Sequence, residues 1–364
     1  MKIGIDARFW MESGVGRYIR NLVIVLQRLD KNNSYYIFCP SSDYEKVKKV
    51  VTAVNFTVVK VDIPWHSFKE QFGYPSFLAK YNLDLMHFPY FSLPIFYRGK
   101  FVVTIHDLIL HHYSSGKAST LPLPVYKLKI LGYKIVMDIA ARRAKRIIAV
   151  SEATKKEIVK HLGQSRDKIS VTYEGVDKEI KSITKEKSTD YFLYVGNTYP
   201  HKNLNTLLFA FSALQDTKTK LFIVGKKDYF QAQLKDKAKN EYRNPNIVFY
   251  ENVDDKELAW LYENALALVS PSYMEGFGLP LVEAMGHRCV VLASDIPSAR
   301  EICKDGAIYF DPKKRDDLAQ KMQDVLSRKL SLEGYRKKGL ARAQDFTWEK
   351  MGEETLKVYN DCLK

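Results

Sequence analysis

One stretch of the chain combines residue types and spacings that could do chemistry: Pro271-Ser272-Tyr273-Met274-Glu275-Gly276-Phe277-Gly278-Leu279-Pro280-Leu281-Val282-Glu283. An apolar run ends just before it, two glycines follow, and Pro280 falls where a helix can start, a place that tolerates a missing N–H. Gly276 and Gly278 let the backbone approach a ligand closely. The amides of Phe277, Gly278 and Leu279 then lie at the helix N-terminus, where partial positive charge favours anions and sugar hydroxyls. Glu275 and Glu283 bracket the turn eight residues apart. A carboxylate only accepts hydrogen bonds, so two of them suit the hydroxyls of a sugar and of a ribose. Either glutamate alone reads equally well as a cap or a dipole partner. With the glycines the pair is far more specific.

Three weaker motifs follow other apolar runs. Gly196-Asn197-Thr198-Tyr199-Pro200-His201-Lys202-Asn203 sets an ammonium, Lys202, on a loop after a strand, where a lysine taken alone reads first as a solvated charge. Gly14-Val15-Gly16 reads as a turn after the first strand; it is not a full dinucleotide fingerprint, and Gly16 is its best ligand-facing candidate. His106-Asp107 comes directly after Phe101–Ile105, at a strand's carboxyl end, where α/β sheets bind ligands. His111 and His112 lie close by without carboxylates at metal-ligand spacing, so no metal site is expected. Ser151, at the end of another apolar run, is placed to cap the following helix.

These motifs need elements to position them, and strands alternate with helices throughout. Strands are expected at Ile3–Ile5, Tyr35–Cys39, Asn55–Val61, Leu85–Phe88, Phe101–Ile105 and Arg146–Val150, with helices at Tyr18–Leu29, Ser67–Lys80 and Pro124–Lys145. The second half repeats the plan, with strands at Tyr191–Val195, Leu221–Val224, Asn246–Phe249, Ala267–Ser270 and Cys289–Ala293. Helices are expected there at Asn205–Leu214, Asp255–Ala265 and Leu281–Met285, and from Asp316 onward. Such alternation implies parallel sheets covered on both faces, hence α/β architecture with two doubly wound, Rossmann-like domains. Ligands then bind outside the strands' carboxyl ends, in a cleft the two domains face across. Residues 1–175 form the first domain, 176–190 a linker of clustered Glu, Lys, Ser and Thr, and 191–345 the second; a C-terminal helix over 346–364 can pack back on the first.

Composition narrows the function. A chain of 364 residues with 46% hydrophobic and 27% charged residues is globular and long enough for two cores. Its four cysteines form no CxxC pair, which argues against a disulfide framework and for a reducing compartment. No secretory leader and no run of 18 apolar residues is seen, so a cytoplasmic location is expected. The net charge of +15 is concentrated in residues 1–150, which hold 22 Lys/Arg against 10 Asp/Glu. An anionic partner fits that half, and a membrane surface suits it better than nucleic acid, because no RNA module or basic-aromatic stripe is present. A dinucleotide oxidoreductase is disfavoured because no strand opens on a complete GxGxxG followed by an acid about 20 residues on.

The segment from Pro271 to Glu283 resembles the E-x7-E motif of the retaining GT-B glycosyltransferases of family 4 (group 1), and the other motifs fall in the family's order along nearly the whole chain. The Ile105-His106-Asp107-Leu108 run and the Gly196–Leu204 loop resemble those of bacterial mannosyltransferases of surface-polysaccharide assembly. The resemblance implies two Rossmann-like domains and transfer of a hexose from a nucleotide diphosphate sugar to a glycan or lipid-linked acceptor, with no metal or cofactor. It assigns Glu275 to the transferred sugar and Glu283 to the ribose. Gly196, Asn197 and Lys202 go to the diphosphate, and Gly276, Phe277, Gly278 and Leu279 to sugar or phosphate through backbone. Gly16 goes to donor phosphate and acceptor, His106 to the sugar with Asp107 orienting it, and Val253 to the base. Where the family carries arginines beside the glycine and the lysine, this chain has Asn197 and His201, which leaves Lys202 as the phosphate cation. GDP-mannose is the expected donor and a UDP-sugar the alternative. Work on lipid-linked acceptors implies a peripheral position on the inner face of the cytoplasmic membrane.

Overall fold

The computed structural model of the chain describes residues 1–114, 121–177, 182–187, 189–214, 216 and 218–363, folded as two compact α/β units. The first comprises Met1–Gly175 and Thr347–Lys364, the second Val176–Phe346. Within the stretch 176–190, positions 178–181 and 188 lie outside the described residues.

In the first unit β1 (Lys2–Asp6) leads to α1 (Gly14–Leu29), β2 (Ser34–Cys39) to α2 (Tyr44–Val50) and β3 (Phe56–Lys60) to α3 (Phe68–Ala79). Next come β4 (Leu85–Phe88), β5 (Phe101–Ile105), α4 (Ile109–His112), α5 (Leu123–Arg143), β6 (Arg146–Ala149), α6 (Glu152–Leu162) and β7 (Ile169–Val171). The sheet is parallel in the order β3-β2-β1-β4-β5-β6-β7. Every residue of β4 and β5 is buried, because helices cover both faces and the strand has no solvent side to alternate toward.

The second unit carries β8 (Tyr191–Val195), α7 (Leu204–Ser212), β9 (Lys220–Val224), α8 (Tyr229–Asn240), β10 (Ile247–Tyr250), α9 (Asp255–Asn264) and β11 (Ala267–Ser270). It continues with α10 (Leu279–Gly286), β12 (Val291–Ser294), α11 (Pro297–Cys303), β13 (Ala307–Phe310), α12 (Arg315–Leu326) and α13 (Leu332–Ala343). Its parallel sheet runs β10-β9-β8-β11-β12-β13. The last helix, α14 (Trp348–Leu363), belongs to the first unit and packs on α1, with Met351 and Tyr359 fully buried. Among the described residues no helix is long and apolar enough to cross a membrane.

Both sheets are doubly wound, as the alternation of elements implies. Each has a switch point where the chain leaves one edge and restarts beside its first strand: β1/β4 in the first unit and β8/β11 in the second. Loops leaving the carboxyl ends of such neighbours diverge to opposite faces and open a crevice. One local expectation is corrected: Gly14-Val15-Gly16 is the first turn of α1, not a free turn. At Gly16 a Cβ would stand 2.6 Å from the Trp10 carbonyl and 2.8 Å from that of Phe9, so glycine lets the helix start against the loop leaving β1.

Candidate active site

Around the β8/β11 switch point the second unit assembles a buried polar cluster. Lys202, after β8, points its ammonium at both oxygens of Glu275, after β11, at 2.7 and 2.8 Å. Their side chains are only 16% and 13% exposed. Ser272 donates a further hydrogen bond to Glu275 Oε1 at 2.6 Å. Burial alone pushes the Glu275 carboxyl up, but the charge and hydrogen bond of Lys202, helped by Ser272, hold it below the usual carboxylate range. The adjacent His201 is pushed down to about 4, first by burial and then by the Lys202 charge, so its imidazole is neutral near pH 7.

The two loops are tied together by backbone and by one asparagine. The Tyr273 amide donates to the His201 carbonyl at 2.9 Å. Asn203, left-handed at φ 58°, donates from Nδ2 to the carbonyls of Pro271 and Pro312, each at 3.0 Å, and accepts from Thr206. Gly196 and Asn197 open the same loop, where Tyr194 donates its hydroxyl to the Asn197 carbonyl at 2.5 Å. The chain enters α10 through Gly278 at φ 90° and ψ 60°, a conformation that glycine takes without strain. Gly276 and Phe277 are buried, with the Phe277 ring edge-on to Phe346 at 5.5 Å, and Leu279 starts the helix. Glu283, one turn on, accepts from the Tyr262 hydroxyl at 2.8 Å, and Tyr262 stacks on His287. The structure thus brings Lys202, Glu275, Gly276, Phe277, Gly278 and Leu279 together, with Glu283 on the same short helix. Val253 stands apart: it follows β10, the edge strand two places from β8, just before the Asp254 cap of α9.

In the first unit His106 follows β5 and is held at both ring nitrogens. Nδ1 lies 3.0 Å from Glu174 Oε1 and Nε2 3.0 Å from the Pro89 carbonyl. A carboxylate and a carbonyl both accept, so this arrangement favours the ring protonated at both nitrogens. Burial disfavours that charge, yet the hydrogen bond and charge of Glu174 outweigh it and raise His106 above the ordinary histidine value. The orienting carboxylate is therefore Glu174, not Asp107. Asp107 instead accepts from the Ile109 amide at 2.9 Å and shapes the start of α4. Below His106 a buried chain runs from Tyr18 to Thr104 (3.2 Å), Thr104 to His87 (2.7 Å) and His87 to the Tyr359 hydroxyl of α14 (2.6 Å). Beside the Gly16 turn, Arg8 pairs with Asp6 and Glu70, both at 2.7 Å, and also donates to the Ile63 and Ser92 carbonyls. Ser151 caps α6 by accepting from the Thr154 amide, and Thr154 donates to the His106 carbonyl at 3.1 Å.

Sequence reasoning missed Asn203, Ser272, Tyr262 and Glu174. Only Asn203 carried a local signal, since an asparagine directly after a loop lysine is a favoured left-handed residue.

Known proteins resemble the chain in sequence and fold. The family model for Glycosyltransferase Family 4 matches residues 13–180, and that for glycosyl transferases group 1 matches residues 176–342. An O-antigen chain mannosyltransferase, RfbU of Salmonella typhimurium, is 31% identical over 218 residues, which span 58% of this chain but only 56% of that relative. O-antigen chain mannosyltransferase B of Escherichia coli is 27% identical over 303 residues, 78% of this chain and 75% of the relative. The solved structure of Anabaena HepE in complex with UDP and glucose superposes with a TM-score of 0.78 at 14% identity, covering 99% of this chain and 100% of the other.

Proposed function

The chain belongs to the GT-B glycosyltransferases, a Glycosyltransferase Family 4 domain followed by a group 1 domain, and we propose that it moves a hexosyl group from a nucleoside diphosphate sugar to a hydroxyl of a glycan or lipid-linked acceptor. The Lys202–Glu275 pair, held across the switch point by two interlocked loops, carries this reading. An ammonium has three N–H groups, and Glu275 takes two, so one remains to meet a diphosphate. Glu275 keeps its charge and its remaining lone pairs for hydroxyls of the transferred sugar. Glu283, fixed by Tyr262, accepts from the ribose. Gly196, Asn197 and the amides of Phe277, Gly278 and Leu279 complete the donor contacts, and Val253 lies toward the base. In the first unit Gly16 goes to the donor phosphate and acceptor and His106 to the transferred sugar.

Glu275 is committed to Lys202 and Ser272, which suits a positioning group better than a covalent nucleophile. We therefore favour retention by same-face attack. The bond from the anomeric carbon to the diphosphate oxygen breaks, the acceptor oxygen bonds to that carbon on the same face, and its proton passes to the departing phosphate. Lys202 and the α10 amides stabilise the negative charge that develops there, and no further cofactor enters the scheme.

Mannosyltransferase names among the relatives favour GDP-mannose as donor, while a neighbour solved with UDP and glucose keeps a UDP-sugar as the second reading. A thermal-shift series over GDP-, UDP-, ADP- and dTDP-sugars at one concentration L tests this, since a bound ligand stabilises by RT ln(1 + L/Kd). The largest rise is expected with GDP-mannose. A larger rise with a UDP-sugar replaces the donor, and no rise with any of them removes the transferase reading.

The same reading extends to a peripheral position on an anionic bilayer. Helix α5 buries Tyr126, Tyr133, Met137 and Ala140 on one face, yet exposes Leu123, Leu128, Leu131 and Ile135 on the other. Lys127, Lys129 and Lys134 lie among them. Apolar residues ringed by lysines suit insertion at a charged lipid surface, each lysine contributing about 1 kcal/mol. Sedimentation with anionic vesicles should capture the chain more than neutral vesicles do, and Leu128→Ser with Leu131→Ser should weaken capture. Equal capture by both vesicle types would remove electrostatic docking.

A further inference from the structure

Away from the strand-end crevices, a second cluster of ligating side chains spans α4 and α6. His112 closes α4, while Glu157 and His161 lie one turn apart on α6. Nε2 of His112 is 2.5 Å from Glu157 Oε2, and Nε2 of His161 is 3.4 Å from the same oxygen. The two imidazoles meet edge to face with centroids 4.8 Å apart. One ligand atom from each residue falls within 4.8 Å of the other two.

We propose that His112, Glu157 and His161 bind a borderline divalent transition ion such as Zn2+, as a surface clamp between α4 and α6. Two nitrogens and one carboxylate oxygen are a donor set that zinc, cobalt and nickel favour and that magnesium and calcium, which take oxygen ligands, do not. Metal–ligand bonds of about 2.0–2.2 Å at tetrahedral angles put neighbouring donors roughly 3.3 Å apart. Glu157 and His161 already stand near that spacing, His112 has to withdraw from Glu157 by less than about an ångström, and the two ring nitrogens lie within 4.8 Å of each other. An ion lets both rings bind as neutral donors. The side chains are 34%, 27% and 28% exposed, so the ion is reachable and water completes its coordination.

The position gives the clamp a consequence. Helix α4 directly follows the His106-Asp107 turn, and α6 holds the same turn through Thr154, which donates to the His106 carbonyl at 3.1 Å. Joining the two helices therefore braces the loop that presents His106. This holds whether or not the chain is a glycosyltransferase.

The test uses the full chain without a histidine tag, stripped of metal by chelation. Titration with Co2+ should give a visible absorption band that saturates at one equivalent, and calorimetry with Zn2+ should give affinity on the order of micromolar. His112→Ala, His161→Ala and Glu157→Gln should each weaken binding at least tenfold, and Glu157→Gln keeps the shape of the side chain. His111→Ala, whose ring faces the Tyr133 hydroxyl instead, should bind as the parent does. Absence of a saturating signal, or equal affinity in the three variants and the parent, would overturn the site and leave Glu157 as an ion-pair partner of His112.

Discussion

Replacing Lys202 by methionine tests the arrangement at the switch point most directly. The substitution keeps most of the side-chain volume and removes only the ammonium, leaving Glu275 buried with Ser272 as its remaining donor. Removing one partner of a buried pair commonly costs about 3–5 kcal/mol. Here the loss has a ceiling, because the stranded carboxylate can take up a proton. From an ordinary value of 4.5, protonation at pH 7 costs about 3.4 kcal/mol, and at pH 5 only about 0.7 kcal/mol. The variant should therefore lose about 3 kcal/mol of second-unit stability at pH 7 and recover most of it at pH 5. The parent behaves in the opposite sense: its Glu275 sits below the usual range, so its contribution is present above pH 4.5 and fades as pH falls through the folded value. Urea denaturation at the two pH values measures both. The double variant Lys202→Met with Glu275→Gln should regain stability at pH 7 without regaining nucleotide affinity. Calorimetry should show nucleoside diphosphate binding weakened about ten- to a hundredfold, the loss of a charged hydrogen bond, and monophosphate binding much less. A penalty unchanged between pH 7 and pH 5, or equal losses for the two nucleotides, would refute the reasoning.

Glu283→Ala should lower nucleotide affinity roughly tenfold or more by removing a charged acceptor, with Tyr262→Phe, which only loosens Glu283, costing less; calorimetry with nucleoside diphosphates gives both numbers. His106 is raised by Glu174, so its contribution is complete below pH 6.5 and lost as pH climbs through the folded value; Glu174→Gln should remove that alkaline decline in first-unit stability. His87, fully buried and pushed down to about 3 by burial, acts in the other direction. The unfolded chain takes up its proton below pH 6.5 and the folded chain does not, so stability should fall by about 2 kcal/mol between pH 8 and pH 5 through this residue, and His87→Gln should flatten that slope in equilibrium unfolding.

The fold was legible wherever a strand runs through the middle of a sheet. Phe101–Ile105, interrupted only by Thr104, and Tyr191–Val195 are apolar runs between polar turns, and both appear as strands with those bounds. Elements with less to bury left weaker traces. Helix α2 buries only Val47, α8 buries Gln231, Leu234 and Ala238 among lysines, and β7 is three residues long. The chemistry was legible as residue types but not as partners. Lys202 and Glu275 stand 73 residues apart, His106 and Glu174 68, and His112 and Glu157 45. Such pairs depend on which strands become neighbours, and nothing local records that. Asp107 drew attention by adjacency alone, while Glu174, which reaches the His106 ring, lay in a stretch with no periodicity to mark it.

The two charge clusters at strand ends differ in how they could meet a ligand. Arg8 is closed off: its side chain is 0% exposed, Asp6 accepts from Nε and Nη2, Glu70 shares Nη2, and the carbonyls of Ile63 and Ser92 accept from Nη1 and Nη2. Its guanidinium also lies 4.2 Å over the Tyr74 ring, and its pKa is pushed above the ordinary arginine value despite burial. A ligand would have to open this buried network to reach it, at a cost of several kcal/mol for stranding a buried charge. Lys202 instead spends two of three N–H groups on one carboxylate and keeps the pair partly open to solvent. A diphosphate can then bind by adding a partner, without displacing one. On the proposed function, Glu275 aims the lysine before the donor arrives, so little reorganisation would be left for the bond-breaking step.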